Sequence, residues 1–399
     1  MDQDLAKALF DKGAFLLFLN APPGLEFGID YNSWQIGPKF LGVKLIPPGL
    51  HFVYYSVTDT STAASGIRSG FFRYYEKKEG CVVIKEWDKI KEDLKEDSEL
   101  DQEQNERIKS DMRQLDQYLG AYPLNTYQKW HNLTDHVTPS LVSRILPDQG
   151  RLNNISSSTV DEEELQDIRG KEKGNKQQYQ QEESVNDTIM FTKFDLKRSW
   201  RPGAFGPEVT KYSQDKSWLL SELLSKIYRD DYKELLGELQ LAFVCLLLGQ
   251  NYAGFVQWKN LIHLLCGCRE VLLTYADNLF VEFLDILRHQ LEECSDDFFR
   301  DVISENNFLA HMLKTFRRNL LDLSSTNRSP ELGTLKRKFE KIRTFLNRKF
   351  KWEMIDSAVR IEVGADDEEE EGEYAPIIID VSDQSQQESP LAGDSAVSS

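Results

Sequence analysis

Between Asp148 and Asn186 apolar residues nearly vanish, and Gln, Glu, Ser, Asn and Lys dominate. Fixing such a stretch costs about 1–2 kcal/mol of backbone entropy per residue, with little burial to offset it. The chain is therefore expected to fold on either side of it. A β-rich domain should cover residues 1–147 and a flexible polar linker 148–188. An α-helical domain should follow over 189–355, and an acidic disordered tail over 356–399. A length of 399 residues agrees, being too long for one ordinary core. With 40% hydrophobic and 11% aromatic residues the chain can fill sizeable cores, which excludes a wholly disordered protein.

The first third reads as strands separated by turns. Candidate strands are Ala14–Leu19, Leu25–Ile29, Phe40–Ile46, Leu50–Val57, Gly70–Tyr75 and Cys81–Trp87, parted by Pro22-Pro23-Gly24, Gly37-Pro38 and Pro47-Pro48-Gly49. Short aromatic and β-branched runs at this spacing predict a sheet-on-sheet or barrel-like domain. His51-Phe52-Val53-Tyr54-Tyr55 is apolar or aromatic on both faces, which implies burial on both sides. Helical spacing then takes over at Ile90, Leu94, Ile108, Met112, Leu115 and Leu119, and again at Leu133, Val137, Leu141 and Ile145, with a boundary at Thr138-Pro139. These helices should pack on the sheet.

Past the polar stretch, Ile189–Phe194 regains apolar character and is expected to dock. A wholly helical region should run from Asp215 to Trp352. Its first helix carries Trp218, Leu220, Leu223, Leu224 and Ile227, and Tyr232–Leu248 is apolar nearly all round, the pattern of a buried central helix. Tyr252–Cys268, Leu272–Leu291, Asn307–Leu323 and Leu332–Trp352 complete a bundle or solenoid-like set without a convincing internal repeat.

Acidic residues outnumber basic ones by 66 to 48, giving a formal charge of −18. That excludes a chain-wide basic surface, and no direct sequence-specific nucleic-acid binding is expected. Leu335–Trp352 departs from the average, with eight Lys/Arg against one Glu. Leu335, Phe339, Ile342, Phe345, Leu346 and Phe350 give it a core-facing stripe, so the reading is a packed helix with a basic exterior able to meet an anionic partner or the acidic run Asp366–Glu371. Five cysteines make no disulfide framework and point to a reducing, intracellular compartment. No segment reaches the eighteen or so apolar residues of a membrane span, and Ala14–Leu19 is too short for a signal peptide, so a soluble protein is expected.

No chemistry-bearing motif emerges. Glycine-rich nucleotide cradles and a G-x-S-x-G elbow are missing. Cys266 and Cys268 with His263 lack the second ligand pair of a structural zinc site, and His131 and His136 are five apart rather than four. Neither catalytic residues nor a metal or cofactor is expected.

The tail has a different signal. From Gly364 to Ser399 there are eleven acidic and no basic residues, and within them Tyr374–Val381 is an island of strand formers. The tail reads either as a disordered solubilising appendage or, on its three consecutive isoleucines, as a site of β-augmentation, the addition of a mobile strand to a partner's open sheet edge. With period two, Ile377, Ile379 and Val381 share one face, while Ile378 and Asp380 share the other. Tyr374, Ile377, Ile378, Ile379 and Val381 are therefore the candidate partner-binding residues. Ser382, Ser385 and Ser389 flank them as candidate regulatory phosphorylation sites.

Several strings together resemble one family. Pro23–Asp30, Asn32-Ser33-Trp34, Gly37–Phe40 and Ile46–His51 are similar to the AAR-two splicing-factor family. So are Tyr122-Pro123, Tyr127, Trp130, Leu133-Thr134, Glu238-Leu239-Gln240, Ala242-Phe243, Leu248-Gly249-Gln250 and Gln257-Trp258-Lys259. The resemblance implies an N-terminal β-sandwich-like domain with packed helices and a C-terminal all-α, VHS-like domain. It also implies a non-enzymatic assembly factor for the U-five small nuclear ribonucleoprotein, cytoplasmic and nuclear. Such a factor transiently holds the large Prp-eight scaffold through its RNase H-like and Jab/MPN domains and keeps the Brr-two helicase from binding early. In the family the tail supplies a bridging strand, a role that falls here on Tyr374–Val381. The competing classes are a hydrolase with a spatially assembled site and a trafficking adaptor of the VHS type.

Overall fold

The computed structural model describes residues 13–58, 65–76, 81–147, 150–153, 188–295 and 308–352. Among the described residues ten strands lie in the first half of the chain, the last two of them after helices: β1 (Ala14–Leu19), β2 (Glu26–Ile29), β3 (Asn32–Gln35), β4 (Gly42–Ile46), β5 (Gly49–Thr58), β6 (Ser65–Tyr75), β7 (Val82–Asp88), β8 (Asp93–Leu94), β9 (Leu119–Ala121) and β10 (Arg151–Asn153). They form two five-stranded sheets in the orders β8-β7-β1-β4-β9 and β10-β6-β5-β2-β3. The second sheet is antiparallel throughout, whereas β1–β7 and β4–β9 in the first are parallel.

Alternation along β5 explains its two apolar faces. Val53 and Tyr55 enter a core shared with Leu16 and Phe18 of β1 in the other sheet, while Leu50, Phe52 and Tyr54 enter a core shared with helices. Two glycines permit the close approaches this needs. Gly42 has φ +143° and lies so near β1 that a Cβ would stand 2.0 Å from Leu16 O, and a Cβ on Gly28 would meet the Tyr54 ring at 2.1 Å.

Helices α1 (Gln102–Ser110), α2 (Met112–Leu115), α3 (Leu124–Thr134) and α4 (Pro139–Ile145) belong to the first half. The Thr138-Pro139 boundary is real: the Thr138 side chain accepts from Leu141 N, and Pro139 opens the helix. The helical half contains α5 (Pro207–Gln214), α6 (Ser217–Lys226), α7 (Tyr232–Leu247), α8 (Tyr252–Cys266), α9 (Leu272–Tyr275), α10 (Leu279–Glu293), α11 (Phe308–Thr326) and α12 (Pro330–Phe350). As expected, α7 is the central helix, buried without a break from Leu235 to Cys245. The largest core runs from Phe52 and Phe72 through Trp130 and Leu141 into α7, α8 and α10, so both halves share it.

Several expectations are corrected. Ile90 is 94% exposed in a turn where the Asp88 carboxylate accepts from Ile90 N and Lys91 N, and Leu94 and Leu119 lie in β8 and β9 rather than in helices. Leu272–Leu291 is two helices, because the Asn278 side chain caps Leu279 N and starts a new one. β3 and α5 were not anticipated. Arg151–Asn153, placed in the polar linker, instead pairs with β6 and buries Leu152; residues 154–187 lie outside the described residues. Beyond them Ile189 and Phe191 are buried and Met190 N donates to Ile145 O, so this segment docks as expected.

Candidate partner-binding surfaces and the polar seam behind them

The expected partner-binding residues Tyr374, Ile377, Ile378, Ile379 and Val381 lie outside the described residues, as do Ser382, Ser385 and Ser389. Among the described residues no three His, Cys, Asp or Glu side chains are grouped to hold a metal ion. Cys245, Cys266 and Cys268 are buried, and burial raises their thiols well above the ordinary range, while Cys294 is pushed up to about 12. Such thiols resist forming the thiolate that nucleophilic attack and metal ligation require. His263 is pushed down to about 4, first by burial and then by Lys216.

One cluster has the outline of a catalytic relay. His51 Nδ1 lies 2.7 Å from Asp30 Oδ2, Tyr122 OH donates to the same oxygen at 2.6 Å, and His51 Nε2 lies 2.9 Å from Pro47 O. A carbonyl only accepts, so Nε2 donates and no ring nitrogen remains for a substrate. Asp30 and His51 have no exposed surface, and Asp30 Oδ1 also accepts from Phe52 N. Asp30 itself has φ +53° in the β2–β3 turn. The cluster locks that turn onto β5 and the Tyr122 segment.

A second buried network crosses the molecule. Glu238 of α7 accepts from Thr192 N at 2.7 Å, Thr192 Oγ1 at 2.7 Å, Gln257 Nε2 at 2.9 Å, Tyr228 OH at 3.0 Å and Arg144 Nη2 at 3.2 Å. It thereby gathers α4, the segment after the polar stretch, the loop after α6, and α8 around one carboxylate. Burial, then the Glu238 charge, raises the Tyr228 phenol well above its ordinary value and keeps it a donor. Two residues on, toward the other side of α7, Gln240 donates to Asp135 Oδ1 at 2.7 Å and accepts from His136 N at 2.8 Å. His136 bridges onward to Glu282 of α10 at 2.8 Å. Burial opposes its charge, but hydrogen bonds to Asp135 and Glu282 outweigh it and raise its pKa.

Outside this frame the described surface offers docking features. β3 is an edge strand with Ser33, Trp34 and Gln35 exposed. A groove of about 1160 Å³ opens between α5, the loop after α8 and α11, lined by Lys211, Arg269, Glu270 and Arg318, with Leu273 also exposed. Along α12 the basic exterior faces outward, as its sequence implied.

The sequence matches two family profiles, "AAR2 N-terminal domain" over residues 12–147 and "AAR2 C-terminal repeat region" over residues 191–355. It is 34% identical to Protein AAR2 homolog of Homo sapiens over 368 residues, 88% of this chain and 93% of that one. The chain belongs to the AAR2 family. The AAR2 homolog of Caenorhabditis elegans is 33% identical over 88% of this chain and 97% of its own. A1 cistron-splicing factor AAR2 of Saccharomyces cerevisiae is 25% identical over 79% of this chain and 88% of its own. The AAR2 resemblance strings acquire physical roles in this fold. Glu238, Gln240 and Gln257 make the seam, Trp130 Nε1 donates to Leu50 O at 2.6 Å, and Tyr122 completes the Asp30 lock. Sequence reasoning quoted these residues without their partners, because they meet donors and acceptors far away in the chain.

Proposed function

We propose that this chain is a non-enzymatic pre-mRNA splicing factor that assists assembly of the U-five small nuclear ribonucleoprotein. The observation that carries the reading is family membership over 88% of the chain, together with the yeast relative's name as a splicing factor. In this reading the chain transiently binds the Prp-eight scaffold through its RNase H-like and Jab/MPN domains and delays the Brr-two helicase, in the cytoplasm and nucleus. The two sheets play the part of the family's β-sandwich-like domain, and α5–α12 that of its VHS-like domain. Tyr374–Val381 adds as a strand to the scaffold, with Ile377, Ile379 and Val381 inward, and phosphorylation at Ser382, Ser385 or Ser389 adjusts its release.

The test titrates the full chain with the scaffold's RNase H-like and Jab/MPN fragments, alongside thermal melts. Ile379→Pro removes a ladder donor and should cost at least about 1–3 kcal/mol of binding with melting unchanged. No binding by the unmodified chain would reject the scaffold reading. Equal binding by both proteins would reject only the strand.

A further inference from the structure

Helix α12 keeps two faces apart. Leu332, Leu335, Phe339, Ile342 and Leu346 are buried, while Arg337, Lys341 and Arg348, at i, i+4 and i+11, share the opposite, exposed side. At 1.5 Å per residue this cationic stripe runs about 16 Å along the axis. The surroundings do not neutralise it. Residues 308–352 hold twelve Lys and Arg against three Asp and Glu. Of the nearby carboxylates, Glu340 is shared by Arg317 and Arg343, and Lys338 takes Asp285. Lys349 is spent on the carbonyls of Leu291 and Glu292 at the end of α10. Among the described residues no carboxylate forms an ion pair with Arg337, Lys341 or Arg348.

We propose that this stripe is the docking face for the chain's own acidic run, Asp366–Glu371. Six consecutive carboxylates in extended form span about 20 Å, close to the length of the stripe. Only thirteen residues separate Trp352 from Asp366. A tether of that length has a root-mean-square reach of about 20 Å and a limit near 50 Å, so every turn of α12 is accessible to it. Tethering presents the run at an effective concentration of the order of millimolar. A nucleic acid must instead approach a chain whose total charge is −18. Single exposed ion pairs are weak, but several at once, held by a short tether, bind as a set and weaken with salt. Docking also holds residues 374–381 near the helical half until a partner or high salt draws them away. The contact stands whether or not those residues are the strand a splicing partner captures.

Two experiments on the full-length protein test this. Zero-length carbodiimide coupling at low salt should join Lys341 to carboxylates of residues 366–371 within the monomer, as mapped by mass spectrometry, and high salt should suppress it. No such product would overturn the proposal. A synthetic peptide of residues 364–373 is then titrated onto the unmodified chain and onto a variant carrying D366N, D367N, E368Q, E369Q, E370Q and E371Q. The variant, with its stripe vacated, should bind the peptide at least about tenfold more tightly. Adding R337Q, K341Q and R348Q should abolish the gain while leaving the melting temperature in place, since the three side chains are exposed. Equal peptide affinity for both chains would overturn the proposal. So would a short single-stranded RNA that binds both equally well, which would mark the stripe as open to external nucleic acid.

Discussion

Asp30 and Glu238 are both carboxylates without exposed surface, one in each half of the molecule, yet the reach of their contacts differs. Asp30 holds Phe52 N, His51 and Tyr122, all within the β-rich half. Glu238 holds Thr192, Gln257, Tyr228 and Arg144, which come from four separate segments on both sides of the polar stretch. The first fastens a turn inside a domain; the second fastens the halves to each other. A buried carboxylate tolerates its desolvation only when its oxygens are filled, so each site makes its neighbours' positions interdependent. What the pair teaches is that similar chemistry sets the scale of cooperativity by where the partners come from.

The comparison breaks most readily at Glu238. Glu238→Ala removes the carboxylate that accepts from the Thr192 amide, Tyr228, Gln257 and Arg144, leaving Gln257 with only Thr192 O and Arg144 with only Thr192 Oγ1, and should cost about 3–5 kcal/mol in urea denaturation. Hydrogen exchange should quicken at residues 189–192 while the β2–β3 turn keeps its protection. Equal loosening at both places would show a single cooperative unit. Asp30→Asn is the converse: it should cost about 1–3 kcal/mol, as buried donors lose a charged acceptor, and leave exchange at 189–192 unchanged. Tyr122→Phe removes one hydrogen bond to Asp30 and should lower stability by about 0.5–1.5 kcal/mol in the same assay. A loss as large as that of Asp30→Asn would place the whole weight of the lock on the phenol.

The mildest effect is expected at the third junction, where His136 bridges Asp135 and Glu282. Its folded pKa is raised above the ordinary value of 6.5, so the folded state binds the proton more tightly than the unfolded chain. The stabilisation is complete below 6.5 and disappears as pH rises through the raised folded value. Asp135 works in the opposite sense: its pKa is lowered from 3.8, so its contribution is present above that value and fades in acid. Urea midpoints measured across neutral pH should therefore fall modestly with rising pH in the unmodified chain, and His136→Gln should flatten that slope. A variant with the same slope would assign it to other groups.

Legibility followed the range of the interaction. Tyr232–Leu248 declared a buried helix through its apolar circumference, and α7 lies there with Asp231 as its cap. The two apolar faces of His51–Tyr55 announced a strand between two cores. Failures occurred where short side chains competed for the backbone: Asp88 made a turn at the expected start of a helix, and Asn278 split one expected helix in two. β10 escaped notice because three residues in a polar stretch carry too little pattern, and their pairing with β6 lies some eighty positions back.

The candidate binding surfaces divide in the same way. The cationic side of α12 was legible from composition and periodicity alone, since it depends on residues one or a few helical turns apart; the expectation for Tyr374–Val381, outside the described residues, rests on the same kind of local pattern. Family membership, too, rests on sequence. Only the tertiary structure decided that Arg144 and Thr192 converge on Glu238, or that His136 reaches Glu282, 146 positions away. The reason is physical. Hydrophobic periodicity is a property of one element and survives any arrangement of the rest. A buried charge finds its partners only after the elements have been placed around it.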